Sequence, residues 1–134
     1  MTQEPRWVDP RALLLLHRES LATFGGALGV RDVGLLDLAL ARPRHQFLYE
    51  NNHDLAALAA AYGYGIARNH PFVDGNKRVA FLAIGVFLAI NDRSLRADPI
   101  DAILTMRALA AGQLEEANLA AWVRRHAVAR RAKR

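Results

Sequence analysis

The sequence predicts an all-α protein, a compact helical bundle, on three observations. Alanine and leucine dominate a chain that is 52% hydrophobic but only 7% aromatic, and both are strong helix formers. Runs of β-branched residues are scarce, which argues against strands. Four aspartates, Asp9, Asp32, Asp54 and Asp98, stand just ahead of apolar segments, and Asp9 and Asp98 are followed by proline. A capping carboxylate with proline at the first helical position marks a helix start.

The elements follow in order. Asp9-Pro10 opens a helix carrying Leu13, Leu14, Leu16, Leu21 and Phe24, closed by Gly25-Gly26. His17 within it reads as a helix-surface or satisfied core histidine. Residues 25–31 form a glycine-rich loop that follows a helix, so they do not fit a dinucleotide fingerprint, which needs a preceding strand. Asp32 caps a helix with Leu35, Leu36, Leu38, Ala39 and Leu40 inside it. Pro43 is expected to interrupt that helix, leaving Arg44 to Asn52 for another turn or two and a polar loop.

Asp54 opens a third helix with Leu55, Leu58, Ala59, Tyr62 and Ile66 on one face. Gly63 and Gly65 weaken it by about 1 kcal/mol each relative to alanine, and close packing against a neighbour is their expected role. It must end by about Asn69, because Pro71 biases His70 away from helical angles. Asn76 to Ile90 is apolar on every side and is therefore expected to be the buried central helix of the bundle, with another helix crossing closely at Gly85. Asp98-Pro99 starts a helix faced by Ile103, Leu104, Met106 and Leu109 and closed by Gly112. Leu114 to about Arg130 is the last helix, with Leu119, Trp122, Val123 and Val128 inward.

At 134 residues the chain makes one domain over 1–134, with a core of about 7–128 and a basic stretch over 124–134. There is no cysteine, so disulfides and thiolate metal sites are excluded. The net charge of +5 is local: residues 124–134 hold six of the 18 Lys and Arg and no acid, leaving 12 basic against 13 acidic residues elsewhere. That pattern fits a solvated helix end suited to the dipole, so no direct nucleic-acid contact is expected. Met1–Pro10 holds two acids and two prolines before any apolar run, unlike a signal peptide. The longest apolar run, Val79–Ile90, is 12 residues, short of the ~20 that span a bilayer. A soluble, cytoplasmic protein without membrane contact is the expectation.

Chemistry concentrates in Asn69-His70-Pro71-Phe72-Val73-Asp74-Gly75-Asn76-Lys77-Arg78. A helix beginning just after Gly75 aims its free amides into this loop, and those donors with the helix dipole make an anion site. Gly75 permits positive φ and close backbone approach. Asn76 can cap or donate to an oxygen. Lys77 and Arg78 lie where the dipole disfavours cations, so they call for an anion such as a phosphate chain. Asp74 is placed to hold Mg²⁺, which binds through one or two carboxylates plus phosphate oxygens. His70 is a candidate general base. Phe72 is the expected anchor that pins the loop to the core. Each residue also has an ordinary structural reading: capping for His70 and Asp74, a solvated first turn for Lys77 and Arg78. Together those readings fail to explain two cations opposing the dipole of so apolar a helix.

His70 to Arg78 resembles the signature of the Fic/Doc superfamily, His-x-Phe-x-(Asp/Glu)-(Gly/Ala)-Asn-(Gly/Lys)-Arg, at every fixed position. Lysine at position 77 is the form of the death-on-curing branch. Leu13 to His17, Gly25-Gly26, Arg31-Asp32 with Leu35-Leu36, and Ala41-Arg42-Pro43 resemble that branch as well. The resemblance implies the all-helical Fic fold and a toxin of a toxin–antitoxin pair. It implies transfer of phosphate from ATP, with Mg²⁺, to a threonine of elongation factor Tu. By position, His70 is then the base, Asp74 the metal ligand, and Gly75, Asn76, Lys77 and Arg78 the phosphate cradle. Arg68, just before the signature, matches a basic residue that touches nucleotide or target. The self-inhibiting Ser/Thr-x-x-x-Glu string of many relatives is absent from the sequence, which implies an external brake: a Phd-like antitoxin folding as a helix into a groove. The alternatives are AMP transfer by the same loop and, from another class, a non-catalytic helical binding module.

Overall fold

The computed structural model describes residues 3–130. Six helices follow one another: α1 (Pro10–Phe24), α2 (Val33–Tyr49), α3 (Leu55–Asn69), α4 (Asn76–Ile90), α5 (Pro99–Ala110) and α6 (Glu116–His126). The expected aspartates do open their helices. Asp9 accepts from the Arg11 N–H, Asp32 from Leu35, Asp54 from Ala56 and Asp98 from Asp101. The helices pack into the expected compact bundle.

Its most enclosed member is α3 rather than α4. Ten of the 15 residues of α3 are buried, against six of 15 in α4. α3 lies between α2, α4 and α6, and its small residues let them approach. A Cβ on Gly63 would meet Ile84 of α4 at 2.5 Å, and one on Gly65 would meet Ala39 of α2 at 3.1 Å. Gly85 differs from expectation: a Cβ there would meet nothing within 4 Å among the described residues. The outer flank of α4, with Phe81, Leu82, Val86 and Ile90, is only half-buried.

Two other expectations give way. α2 runs unbroken through Pro43. A mid-helix proline forfeits a backbone bond at about 3 kcal/mol, yet both sides of Pro43 are tied to α6. The Arg42 guanidinium pairs with Glu116, and Gln46 donates to the same carboxylate at 2.9 Å. Burial pushes the Glu116 carboxyl up, but the hydrogen bonds from Arg42 and Gln46 together with the Arg42 charge keep it below its ordinary range.

The last helix stops at His126, whose Nδ1 bonds the Trp122 carbonyl at 2.7 Å. Residues beyond it form β2 (Ala127–Ala129), antiparallel to β1 (Arg93–Leu95) with Ser94 opposite Val128. Val128 is therefore exposed rather than inward. Trp122 is buried as expected and donates to Asp101 at 2.9 Å.

Of the basic stretch, Arg124 pairs with Asp54, and Arg130 reaches the Ala89 carbonyl. Arg131, Lys133 and Arg134 lie outside the described residues. No described helix is long and apolar enough to cross a membrane. Near the start of the chain, Trp7 packs against Phe47 and Phe87 at 5.8 and 5.9 Å between ring centres.

The two glycines of contrasting surroundings give a direct test of this packing. Gly85→Ala is expected to raise stability by up to about 1 kcal/mol through helix propensity alone. Gly63→Ala is expected to lower it by about 1–3 kcal/mol, because the Ile84 side chain must move. Chemical denaturation of both variants checks the pair, and equal effects would contradict the packing.

Candidate active site

The chain reverses between α3 and α4 in six residues, and three contacts hold the reversal. Phe72 is 1% exposed. Its ring stacks on His17 of α1 at 3.9 Å between centres, with the planes 19° apart. The Asn76 side chain grips the Phe72 backbone from both directions: Oδ1 accepts its N–H at 3.0 Å and Nδ2 donates to its carbonyl at 2.9 Å. His17 is 4% exposed and donates from Nε2 to the Asp74 carbonyl at 2.7 Å. Of the two sequence readings of His17, the satisfied core histidine is the one observed, and it buttresses the loop.

The glycine-rich connection between α1 and α2 is bound to this loop. Val30 and Phe72 form an antiparallel bridge. The Val73 N–H donates to the Gly29 carbonyl at 3.0 Å, and the Arg31 N–H to the Pro71 carbonyl at 2.7 Å. Gly26 has φ +125° and lies so close to Asp74 that a Cβ would sit 2.9 Å from Oδ2.

At the start of α4 the cap residue is Gly75, at φ 75° and ψ 17° in the left-handed region, and no side chain caps the helix. The Gly75 conformation is one that residues with a Cβ adopt at a cost. The first amides of α4, at Asn76, Lys77 and Arg78, are those left without intrahelical acceptors. Asp74 does not cover them. Its carboxylate turns sideways, accepting from the Gly75 N–H at 2.9 Å and the Ala27 N–H at 3.3 Å.

Those two bonds, the Gly75 bond first, hold the Asp74 carboxyl below its ordinary range, and the charges of Arg78 and His17 act in the same sense. Arg78 donates to the Gly25 carbonyl at 3.3 Å, and its guanidinium lies 5.0 Å from the centre of the Phe24 ring. Phe24 itself is 70% exposed. A carbonyl and a ring leave the cation its full charge.

His70 caps the C-terminus of α3 in the left-handed conformation, φ 47° and ψ 57°. Such a conformation is uncommon for a non-glycine residue and tends to mark functional loops. His70, Asp74 and Lys77 are exposed. Arg68 is turned elsewhere. Its guanidinium lies 5.3 Å from the centre of the Tyr64 ring and close to Gly112, on the side facing the α5–α6 turn. A cavity of about 600 Å³ lies at the opposite pole, lined in part by Arg6, Asp54, Asn91 and Arg124, and shares none of these residues.

The structure thus sets Phe72, Asp74, Gly75, Asn76, Lys77 and Arg78 around one helix start, with His70 exposed at the end of α3 where the same loop begins, and leaves Arg68 to one side. Sequence reasoning missed Gly26 and Ala27 as the wall behind Asp74, and Arg31 and His17 as braces. Only His17 had a local signal, four residues after Leu13 on the inner stripe of α1.

As for a metal, Asp74 is a lone ionised carboxylate. Among the described residues no group of three or more His, Asp or Glu side chains could hold an ion by itself. A single carboxylate with free lone pairs beside an anion seat suits Mg²⁺ shared with phosphate oxygens.

What fold and site define is a helical-bundle domain whose candidate active site is the loop between its two innermost helices. The chain belongs to the Fic/DOC family, whose profile matches residues 7–88 and so includes the whole loop. It is 47% identical over 89 residues to Toxin Doc of Mycolicibacterium smegmatis, a match spanning 62% of this chain and 68% of that protein.

The carboxylate state has a definite pH signature. A carboxyl whose folded value is lowered supports the loop above its unfolded value, and that support is lost as pH falls through the folded value. Carboxyl-carbon NMR of Asp74 is expected to give a midpoint below 3.8. The contacts to Gly75 and Ala27 then persist throughout about pH 5–8. A midpoint above 3.8 would remove the two backbone bonds from the account.

Proposed function

We propose that this chain is the toxin of a toxin–antitoxin module that transfers phosphate from ATP, in a Mg²⁺-dependent reaction, to a hydroxyl of a translation factor, with elongation factor Tu as the target. The observation that carries the reading is the uncapped start of α4 beside an ionised Asp74 and an exposed His70. The family match and the likeness to a protein called Toxin Doc support it.

Phosphoryl transfer depends mainly on positioning and charge stabilisation. The amides of Asn76 to Arg78 supply fixed donors for phosphate oxygens. Because the Asn76 side chain is occupied by Phe72, its contribution to the cradle is the backbone N–H and a rigid loop. Lys77 and Arg78 neutralise phosphate charge. Asp74 would hold the Mg²⁺, which would supply neutralisation of phosphate charge. His70 takes the proton of the attacking hydroxyl, help worth about 10²–10⁴ in rate.

Lys77 favours phosphate over AMP transfer: its bulk and charge oppose entry of an α-phosphate with its nucleoside and suit the γ-phosphate. The partner is a Phd-like antitoxin, binding as a helix against apolar surface. Phe24, Leu28 and Val73 expose such surface beside the loop.

The test is to incubate the purified protein with ATP, Mg²⁺ and elongation factor Tu and to weigh the products. Added phosphate is expected with the wild type and not with His70→Ala, which should also lose toxicity while remaining folded. An added nucleotide monophosphate would convert the reading to AMP transfer. A folded, fully toxic His70→Ala protein would remove it.

A further inference from the structure

Arg31 stands outside the phosphate cradle, yet one residue captures three consecutive carbonyls of the loop. Its Nε donates to His70 at 2.7 Å, its Nη2 to Asn69 at 2.7 Å, and its own N–H to Pro71 at 2.7 Å. Two needs meet there. The last carbonyls of α3 lack helical donors, and a cation suits that end of the dipole. The second need is specific to His70.

The left-handed conformation of His70 is disfavoured for a non-glycine residue, and such strain persists only where the surroundings over-determine it. The Asn69 carbonyl belongs to the peptide plane before the His70 Cα, and the His70 carbonyl to the plane after it. Peptide planes are rigid. A planar guanidinium holding both oxygens therefore holds both φ and ψ of His70, and with them the direction of its Cα–Cβ bond.

We infer that Arg31 is a positioning residue for His70: its two-pronged grip on the flanking carbonyls aims the imidazole. The inference rests on His70 being the base of the proposed transfer. Geometry, and not charge alone, carries the effect. Lysine would keep a cation at the helix end but cannot reproduce a planar fork.

The experiment compares wild type, Arg31→Ala and Arg31→Lys with two readouts. The first is the transfer reaction. Both variants are expected to lose about 10–100-fold in kcat, as small misplacements of a catalytic group do. KM for ATP should stay within about twofold, because the Arg31 guanidinium is engaged by the Asn69 and His70 carbonyls and not by the phosphate cradle. The second is the backbone carbonyl ¹³C resonances of Asn69 and His70, which should move in both variants.

Full activity in Arg31→Lys would overturn the inference, because charge would then suffice. So would a loss confined to KM, or carbonyl resonances that stay in place. If wild type and His70→Ala prove equally active or equally inert, the proposed function fails separately. The carbonyl resonances then decide the grip by themselves: movement upholds it and constancy overturns it.

Discussion

The burial of one side chain, Phe72, holds the candidate site together. It sits in the middle of the reversal between α3 and α4, stacked on His17 and gripped at both backbone polar groups by Asn76. Removing a buried phenylalanine typically costs about 3–5 kcal/mol, so the loop has one strongly preferred seat. Once Phe72 is seated, its neighbours have little freedom. The carboxylate two residues on meets the amides of Gly75 and Ala27. The histidine two residues back meets the fork of Arg31.

That arrangement explains why the site is both rigid and open. Its rigidity comes from backbone bonds to a second loop, residues 29–32, which is zipped to residues 71–73. Its openness comes from glycine at the α4 cap and from an aspartate that turns aside instead of capping. Backbone donors, the Arg78 guanidinium and an ionised carboxylate are therefore held in place before any ligand arrives. Preorganisation of this kind is what electrostatic catalysis requires, since little reorganisation remains at the moment of reaction.

Much of this was legible in the sequence because it is local. Aspartate caps, proline at the first helical position and three- and four-residue apolar spacing located α1, α3, α4 and α5 within a few residues. The nine residues from His70 to Arg78 marked the candidate site by their types, their order at a helix start and their match to a family signature. What escaped depends on distant partners. Pro43 does not break α2, because Glu116, more than seventy residues later, ties both sides of it. The end of α6 becomes a strand only because Arg93–Leu95 offers it a ladder. Gly63 and Gly85 look alike in sequence, yet one faces Ile84 and the other open space. The grip of Arg31 on two carbonyls some forty residues away has no local signature in the sequence.

The central claim is that the bare start of α4 is where phosphate sits. Amide NMR during titration of the ¹⁵N-labelled protein with Mg²⁺–ATP tests it most directly. The account requires the N–H resonances of Gly75, Asn76, Lys77 and Arg78 to shift together and to saturate with one affinity. Shifts gathered instead around Arg6, Asn91 and Arg124, at the cavity of the opposite pole, with residues 75–78 unmoved, would contradict it.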